Sequence, residues 1–352
     1  MKRLLALFAT LLIATMAMAQ QSSGPVASPA ELAKLEQQRA VTQPYNNAPV
    51  WKTARGAVEG YVSIPAPEAG VLIQDGGQNW RALRNGWFSV IGGWALVVMM
   101  LAIGGFYAWK GTVQLHDSPT GRMIGRFTLL ERMAHWGTAI SFSVLAISGL
   151  ILLFGKTLLI PVIGFTLFSW LAIFAKNLHN FLGPLFIVSC IITFVIFVRD
   201  NFPKAVDFKW IVNFGGLING KHIPSEKFNA GEKIWFWGGL MVLGLVVGLS
   251  GLVLNFPNFG QTRATMQLAN LVHLTGATFF MLGALGHIYM GTLGMAGALD
   301  AMKTGVVDES WAKEHHEIWY DEQLKAGNVG KVGKSDAPHA KNQQPVAVGG
   351  DD

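Results

Sequence analysis

The sequence contains very little cysteine: Cys190 is the only one among 352 residues. A single thiol cannot supply the four thiolates of an iron–sulfur cluster, cannot form a disulfide within the chain, and cannot make the C-x-x-C-H attachment of c-type haem. Paired carboxylates, a nucleophile triad and a phosphate-binding loop are also missing from the sequence. Primary oxidation of a substrate must therefore take place on another subunit.

Charge is scarce as well, at 14% of residues against 51% hydrophobic. Five apolar segments, residues 87–109, 135–154, 179–198, 234–254 and 268–299, are long enough to cross a hydrocarbon core about 30 Å thick. Only helices satisfy their backbone groups there in a chain of this kind. The sequence therefore predicts an all-α integral membrane protein, with lipid around it and no role in binding nucleic acid.

The amino terminus indicates export. Lys2 and Arg3 precede an apolar run at residues 4–14 and an Ala-Met-Ala site, so residues 1–19 are predicted to be a signal peptide, with a short membrane anchor as the alternative. Residues 20–86 then form an exported periplasmic segment, with one short helix predicted at 29–41. Sixteen Lys and Arg lie in segments 110–132, 199–233 and 303–352, against three in the opposite loops. This bias predicts a multi-pass protein of the bacterial inner membrane with a cytoplasmic carboxyl terminus.

Two histidines on the last apolar segment indicate a cofactor. His273 and His287 are 14 residues apart, which is about 21 Å and nearly four turns, so both rings lie on one helix face. Ionisable groups at membrane depth usually have a function, although a histidine there can also serve only helix packing. Haem iron accepts a histidine from each side. Two haems therefore need two more ligands, which His135 and His179 can provide.

Topology pairs these four histidines by depth. His179 is expected to open a helix that enters from outside, and so to share an outer haem with His273. His135 begins a helix that rises from the cytoplasm, and so shares an inner haem with His287. Both haems would be b-type, because no covalent attachment motif is present. The remaining histidines lie in polar segments and are predicted to be solvated: His116, His222, His315, His316 and His339.

Several motifs, in this order and spacing, resemble those of the membrane cytochrome b (gamma) subunit of respiratory formate dehydrogenase. They are residues 131–136 (ERMAHW), 178–183 (LHNFLG), 228–233 (FNAGEK), His273, 287–290 (HIYM) and 311–316 (WAKEHH). The resemblance extends over about 125 to 320. The signal peptide, exported segment and first helix look like the extended form of that subunit.

The resemblance implies a four-helix di-haem cytochrome b bundle at residues 110–302, an additional transmembrane helix at 87–109, and a cytoplasmic tail at 303–352. It implies the same two ligand pairs. It also implies an iron–sulfur subunit as electron donor, fed by a molybdenum or tungsten catalytic subunit that oxidises formate, and a quinone as acceptor. Asn229 and Gly231 match residues that border the quinone. From the residues alone, Asn229 could equally be a helix cap.

Three other functions stay open at this point. The nearest is the cytochrome b subunit of a nickel–iron hydrogenase or of another molybdenum oxidoreductase. The loop around Asn229 and the 311–316 segment favour formate dehydrogenase. A proton-linked transporter would show internal repeats or broken helices, and neither is expected from this sequence. The third alternative is a haem-free anchor for a dehydrogenase.

Overall fold

The computed structural model describes residues 28–42, 76–216 and 223–331. The predicted signal peptide, His222 and His339 lie outside these residues. The elements are, in chain order, α1 (Pro29–Thr42), α2 (Gly77–Lys110), β1 (Met123–Gly125), α3 (Leu129–Leu158), α4 (Ile160–Asn201), α5 (Ala205–Val212), α6 (Ala230–Asn255), α7 (Arg263–Gly294), α8 (Asp300–Thr304), β2 (Val306–Asp308), α9 (Glu309–His315) and α10 (Glu317–Lys325).

Five of these helices are long and apolar enough to cross a membrane: α2, α3, α4, α6 and α7. The predicted all-α membrane fold with five spanning helices is therefore confirmed. α1 agrees with the helix predicted at 29–41. α2 begins ten residues before the predicted segment 87–109, and its first part includes a π-helical turn at Leu83–Phe88.

α4 differs from the prediction. His179 does not open this helix, because the helix already begins at Ile160. The predicted segment 179–198 is too short, because the apolar run continues on the other side of Lys176. Lys176 is exposed on the helix surface, and lysine is a good helix former, so one such residue does not interrupt a helix.

The start of α4 is broken, which the sequence did not indicate. Gly164 has φ 75° and ψ 171°, a backbone conformation that glycine adopts at little cost. The connection from α3 is a tight turn, in which the Leu159 amide donates to the Gly155 carbonyl at 2.8 Å. α3 and the first residues of α4 therefore follow each other with almost no loop, where the sequence predicted a longer connection.

The described residues divide into two compact units. The first comprises residues up to 89 together with 147–179 and 256–268, and the second comprises 90–146, 180–255 and the residues from 269 onward. In the first unit, the indole Nε1 of Trp80 donates to the Gln267 carbonyl at 3.1 Å. This bond ties the first part of α2 to the first part of α7.

The second unit contains the main hydrophobic core. Ile124, Phe127, Phe228, Val307 and Trp311 are among its buried members. β1 and β2 pair antiparallel in this core, with Ile124 opposite Val307. The first residues of the predicted cytoplasmic tail are therefore folded against the segment that precedes α3.

In the same unit, α2 packs along α7. The rings of Phe106 and Tyr107 lie 6.3 and 6.4 Å from the ring of Tyr289. α7 ends in a π-helical turn at Met290–Gly294, five residues before the predicted end of the segment. The chain is extended at Met295, which pairs with Val113 in an isolated bridge.

Candidate functional site

His135 and His287 face each other in the second unit. His135 lies near the start of α3 and His287 near the end of α7, and their ring centroids are 6.2 Å apart with the rings tilted by 59°. Two imidazoles that bind one iron from opposite sides need ring centres about 6 Å apart, because each metal–nitrogen bond is about 2 Å long. The observed separation fits that requirement. The structure thus brings together the two residues predicted as the inner pair.

The surroundings of this pair also fit a bound group. His135 Nδ1 is buried, and no described residue hydrogen-bonds to it. A buried polar atom without a partner is uncommon and needs an explanation. His287 is exposed, although it lies within the span of α7. Among the described residues there is no cluster of three or more His, Cys, Asp or Glu for a bare metal ion, whereas axial ligation of haem needs only two.

His273 lies on α7 in the second unit, 14 residues before His287, or about 21 Å along the helix. Its Nδ1 is 3.0 Å from the Val247 carbonyl oxygen. Because a carbonyl can only accept, Nδ1 must be the protonated nitrogen of the neutral ring, which leaves a lone pair on Nε2. Iron-binding histidines have this arrangement, with the second nitrogen donating to a backbone carbonyl or another acceptor.

His179 lies on α4 in the first unit. Its Nδ1 is 2.8 Å from the Ser148 hydroxyl on α3. Four residues further along α4, a Cβ placed on Gly183 would meet nothing within 4 Å. His179 belongs to the first unit and His273 to the second.

Trp235 is a site residue that the sequence reasoning missed. It is the first residue of a π-helical segment of α6, Trp235–Leu243, and its ring stacks on His287 at 5.2 Å with an angle of 15°. π-helical turns inside α-helices are frequent at functional sites. The pattern of apolar residues in 234–254 gives no sign of this turn, because it fits an ordinary helix equally well.

Asn229 caps α6. Its Oδ1 accepts from the Glu232 amide at 3.0 Å, and the Glu232 carboxylate accepts from the Asn229 amide at 2.8 Å. This reciprocal pair is a capping box, so the alternative role considered for Asn229 is present in the structure. The cap uses the side-chain oxygen. A quinone carbonyl would have to be bound by the other half of the side chain, the Nδ2 amide, which is a hydrogen-bond donor.

Gly231 has a packing reason to be glycine. A Cβ at this position would lie 2.8 Å from Cη2 of Trp210 on α5. The indole of Trp210 therefore lies against the first turn of α6. This contact explains the glycine without a ligand, and the predicted contact of Gly231 with quinone stays a prediction.

His316 is buried, with 1% of its surface exposed, so the prediction that it is solvated is wrong. Its Nδ1 donates to the Glu226 carbonyl at 2.6 Å, and its Nε2 lies 3.0 Å from Nη2 of Arg126. Burial, together with the Arg126 charge, holds the pKa of His316 well below its usual value. His116, by contrast, is exposed as predicted, and its hydrogen bond to Glu314 raises its pKa.

Arg126 holds the loop that leads to Asn229. It is 6% exposed, donates to the Lys227 carbonyl at 2.7 Å, and lies 4.8 and 4.9 Å from the ring centres of Phe127 and Trp311. Burial lowers the pKa of its guanidinium, and the Glu232 carboxylate at 3.2 Å opposes that shift. Nothing in the sequence separates Arg126 from the other basic residues of segment 110–132, because its burial depends on distant partners.

Comparisons with known proteins identify the family of this chain. A family model described as prokaryotic cytochrome b561 matches residues 126–305. The formate dehydrogenase, nitrate-inducible, cytochrome b556(Fdn) subunit of Escherichia coli (strain K12) is 30% identical over 216 residues, 58% of this chain and 94% of that protein. The formate dehydrogenase cytochrome b556(fdo) subunit of the same strain is 30% identical over 211 residues, 57% of this chain and 94% of that protein.

A third relative comes from Haemophilus influenzae (strain ATCC 51907 / DSM 11121 / KW20 / Rd). Its formate dehydrogenase cytochrome b556 subunit is 27% identical over 223 residues, which are 58% of this chain and 88% of that protein. These matches confirm the resemblance seen in the sequence. α2 ends before the residues that the family model matches.

Proposed function

Because this chain belongs to the prokaryotic cytochrome b561 family and to the formate dehydrogenase cytochrome b subunits, we propose that it passes electrons from an iron–sulfur subunit through two b-type haems to quinone. As a cytochrome b it binds b-type haem and takes part in electron transfer in a bacterial membrane. The proposal adds the number of haems, their ligands, the acceptor and the partners. It rests above all on the 6.2 Å separation of the His135 and His287 rings.

The proposed ligands are His135 and His287 for the inner haem and His179 and His273 for the outer haem. When bound, each haem would supply reversible one-electron chemistry. The inner assignment is supported by the ring separation. The outer assignment is supported by the Nδ1–H of His273, which leaves Nε2 for a metal. The pairing of His179 with His273 rests on the resemblance of the motifs around them to the family's ligand pairs, because His179 lies within α4 and not at its start.

The proposed quinone site lies at the start of α6. There the Asn229 Nδ2 amide would donate to a quinone carbonyl, while its Oδ1 keeps α6 capped. Arg126 and His316 hold the preceding loop through the Lys227 and Glu226 carbonyls. These buried anchors keep Asn229 in place, because a loop bound only by solvent-exposed contacts would be mobile.

The proposed direction of electron flow follows from the topology predicted by sequence. Electrons enter on the periplasmic side, and a quinone on the cytoplasmic side takes its protons from the cytoplasm. Moving one electron inward against 100 mV costs about 2.3 kcal/mol, hence about 4.6 kcal/mol for the pair from one formate. A low-potential donor must supply this free energy. The catalytic partner would be a molybdenum or tungsten subunit.

The test is a reduced-minus-oxidised absorption spectrum of the full chain, purified from membranes, with the haem content per chain measured in parallel. The proposal expects a b-type spectrum and two haems per chain. A chain without a b-type band would overturn it. Identification of the co-purified subunits tests the partner. A nickel–iron subunit in place of a molybdenum or tungsten subunit would show that the chain belongs to a hydrogenase complex.

A further inference from the structure

Two serines contact the histidines proposed for the outer haem. The Ser148 hydroxyl on α3 is 2.8 Å from Nδ1 of His179, and the Ser250 hydroxyl on α6 is 3.2 Å from Nδ1 of His273. The two contacts lie in different units, and each joins two helices within its own unit. In both cases the serine contacts Nδ1 of the ring. Nε2 is then the nitrogen that would coordinate iron.

The local sequences around the two serines are alike. Residues 148–152 read Ser-Gly-Leu-Ile-Leu and residues 250–254 read Ser-Gly-Leu-Val-Leu. The glycine follows the serine in both, although α3 and α6 are separate helices. Serine and glycine are poor helix formers in comparison with alanine. Their presence at these two points therefore calls for a reason other than helix stability.

The hydrogen bonds at His273 define which group donates. The Ser250 hydroxyl gives its hydrogen to the Val246 carbonyl at 2.6 Å, so its oxygen accepts from the imidazole. The Val247 carbonyl, 3.0 Å from Nδ1, can also only accept. Nδ1 of His273 is therefore the protonated nitrogen, and the Val247 carbonyl and the Ser250 oxygen together stabilise the tautomer that leaves Nε2 with a lone pair.

The glycines allow both rings to approach the helix backbone. A Cβ on Gly149 would lie 3.3 Å from Cε1 of His179, and a Cβ on Gly251 would lie 3.2 Å from Cε1 of His273. Both separations are tighter than ordinary van der Waals contact, so an alanine would push the ring away by a few tenths of an ångström. The serine contacts Nδ1 and the glycine lies beside Cε1, so both residues fix the position of the same edge of the imidazole.

In the inner pair, no serine or other described residue hydrogen-bonds to Nδ1 of His135, although this nitrogen is buried. Hydrogen bonding of Nδ1–H increases the basicity of the coordinating nitrogen. A more basic ligand stabilises ferric iron, which lowers the reduction potential of the haem.

We propose that Ser148-Gly149 and Ser250-Gly251 are positioning pairs for the outer haem ligands, in which the serine oxygen accepts Nδ1–H and the glycine lets the ring lie against the helix. This inference rests on the proposed function, because it presumes that His179 and His273 bind iron. Its consequence is an outer haem of lower potential than it would have without the two serines. That lower potential favours transfer of electrons inward.

The experiment uses the full chain in detergent, with a potentiometric titration followed by visible absorption. Ser148→Ala and Ser250→Ala should each raise the midpoint potential of the haem that His273→Ala removes. The haem that His287→Ala removes should keep its potential, which also shows that the variant is folded. Affinity for the outer haem should fall about 10–100-fold in Ser148→Ala, the usual effect of removing a hydrogen bond to a metal ligand, and by less in Ser250→Ala, where the Val247 carbonyl still accepts from His273 Nδ1. Ser148→Thr and Ser250→Thr, which keep the hydroxyl, should restore most of the wild-type potential.

Two controls match these variants. Ser141→Ala removes a buried serine of α3 whose hydroxyl donates to the Gly137 carbonyl at 2.7 Å, and it should leave both potentials unchanged. Gly149→Ala and Gly251→Ala should lower the content of outer haem, whereas Gly104→Ala, where an added Cβ meets nothing within 4 Å, should not.

Three results would overturn the inference. In a wild-type chain with two haems, an unchanged outer potential in both serine variants would overturn the positioning role while leaving the proposed function standing. An equal shift of both haems in the serine variants would do the same. A wild-type chain in which neither His179→Ala nor His273→Ala removes a haem would overturn the proposed function together with the inference.

Discussion

Arg126 donates a hydrogen bond of 3.0 Å from Nη2 to Nε2 of His316, 190 residues further along the chain, and both side chains are buried. A guanidinium has donors only, so Nε2 must accept and His316 must be neutral. Its Nδ1–H then donates to the Glu226 carbonyl. The pair therefore ties the segment after α9 to the loop that leads into α6.

This pair predicts a dependence of local stability on pH. The pKa of His316 lies well below 6.5 in the folded chain because of burial and the Arg126 charge. The folded state therefore keeps His316 neutral, while the unfolded segment takes up a proton as the pH falls below about 6.5. Stability contributed by His316 is complete above that pH. It decreases by up to about 1.4 kcal/mol for each pH unit below it.

Amide hydrogen exchange of residues 306–319 at pH 7.5 and 5.5, corrected for the intrinsic exchange rate, measures this effect. Protection should decrease at pH 5.5 in the wild type. His316→Gln, whose amide can accept from Arg126 and donate to Glu226, should largely remove the dependence. His116→Gln changes an exposed histidine whose raised pKa acts in the opposite direction, so the loss of protection at pH 5.5 should persist and become slightly larger. Equal loss of protection in wild type and His316→Gln would contradict the prediction.

The pairing of the four membrane histidines predicts that variants of the two ligands of one haem have the same spectrum. His135→Ala and His287→Ala should each remove the same haem, since their rings lie 6.2 Å apart, and each should retain the other haem. His179→Ala and His273→Ala should match each other in the same way. Absorption and electron paramagnetic resonance spectra distinguish the two classes, and His315→Ala serves as a control that keeps both haems. A spectrum of His135→Ala that matched His273→Ala would refute the pairing.

Asn229 permits the cap and the quinone contact to be separated. Asn229→Asp keeps a side-chain oxygen for the Glu232 amide but has no amide donor. It should slow the reoxidation of reduced haem by quinone about tenfold, the loss expected for one hydrogen bond of about 1.4 kcal/mol. Asn229→Ala should in addition lower stability by about 1 kcal/mol. Stopped-flow absorption and thermal unfolding measure the two effects. Normal quinone reduction in Asn229→Asp would leave Asn229 with the cap alone.

Gly231 provides a test of packing against ligand contact. Gly231→Ala places a Cβ 2.8 Å from Trp210 Cη2, and such overpacking costs about 1–3 kcal/mol. If packing alone requires the glycine, Trp210→Leu should recover the stability and the quinone reduction of Gly231→Ala. The two single variants and the double variant, compared by thermal unfolding and quinone kinetics, complete a cycle. Recovery of stability without quinone reduction would instead support the predicted contact.

Much of the architecture could be predicted from the sequence alone, because the relevant signals are local. Long apolar runs identify membrane helices whatever they pack against, and a 14-residue separation places His273 and His287 on one helix face. The motifs around His135 and Asn229 identified the family before any contact was known. The single cysteine excluded a cluster in this chain in the same way.

The tertiary structure decided what depends on residues far apart in the chain. The sequence around His316 predicts a solvated histidine, whereas in the fold its ring is hydrogen-bonded to Arg126 and to the Glu226 carbonyl. Ser148 and Ser250 are ordinary helix residues until an imidazole from another helix meets each hydroxyl. α4 is longer than the predicted segment because Lys176 lies exposed on the helix surface and does not interrupt the helix. Burial and hydrogen-bond partnership are properties of a pair, and the pair is formed only when the chain folds.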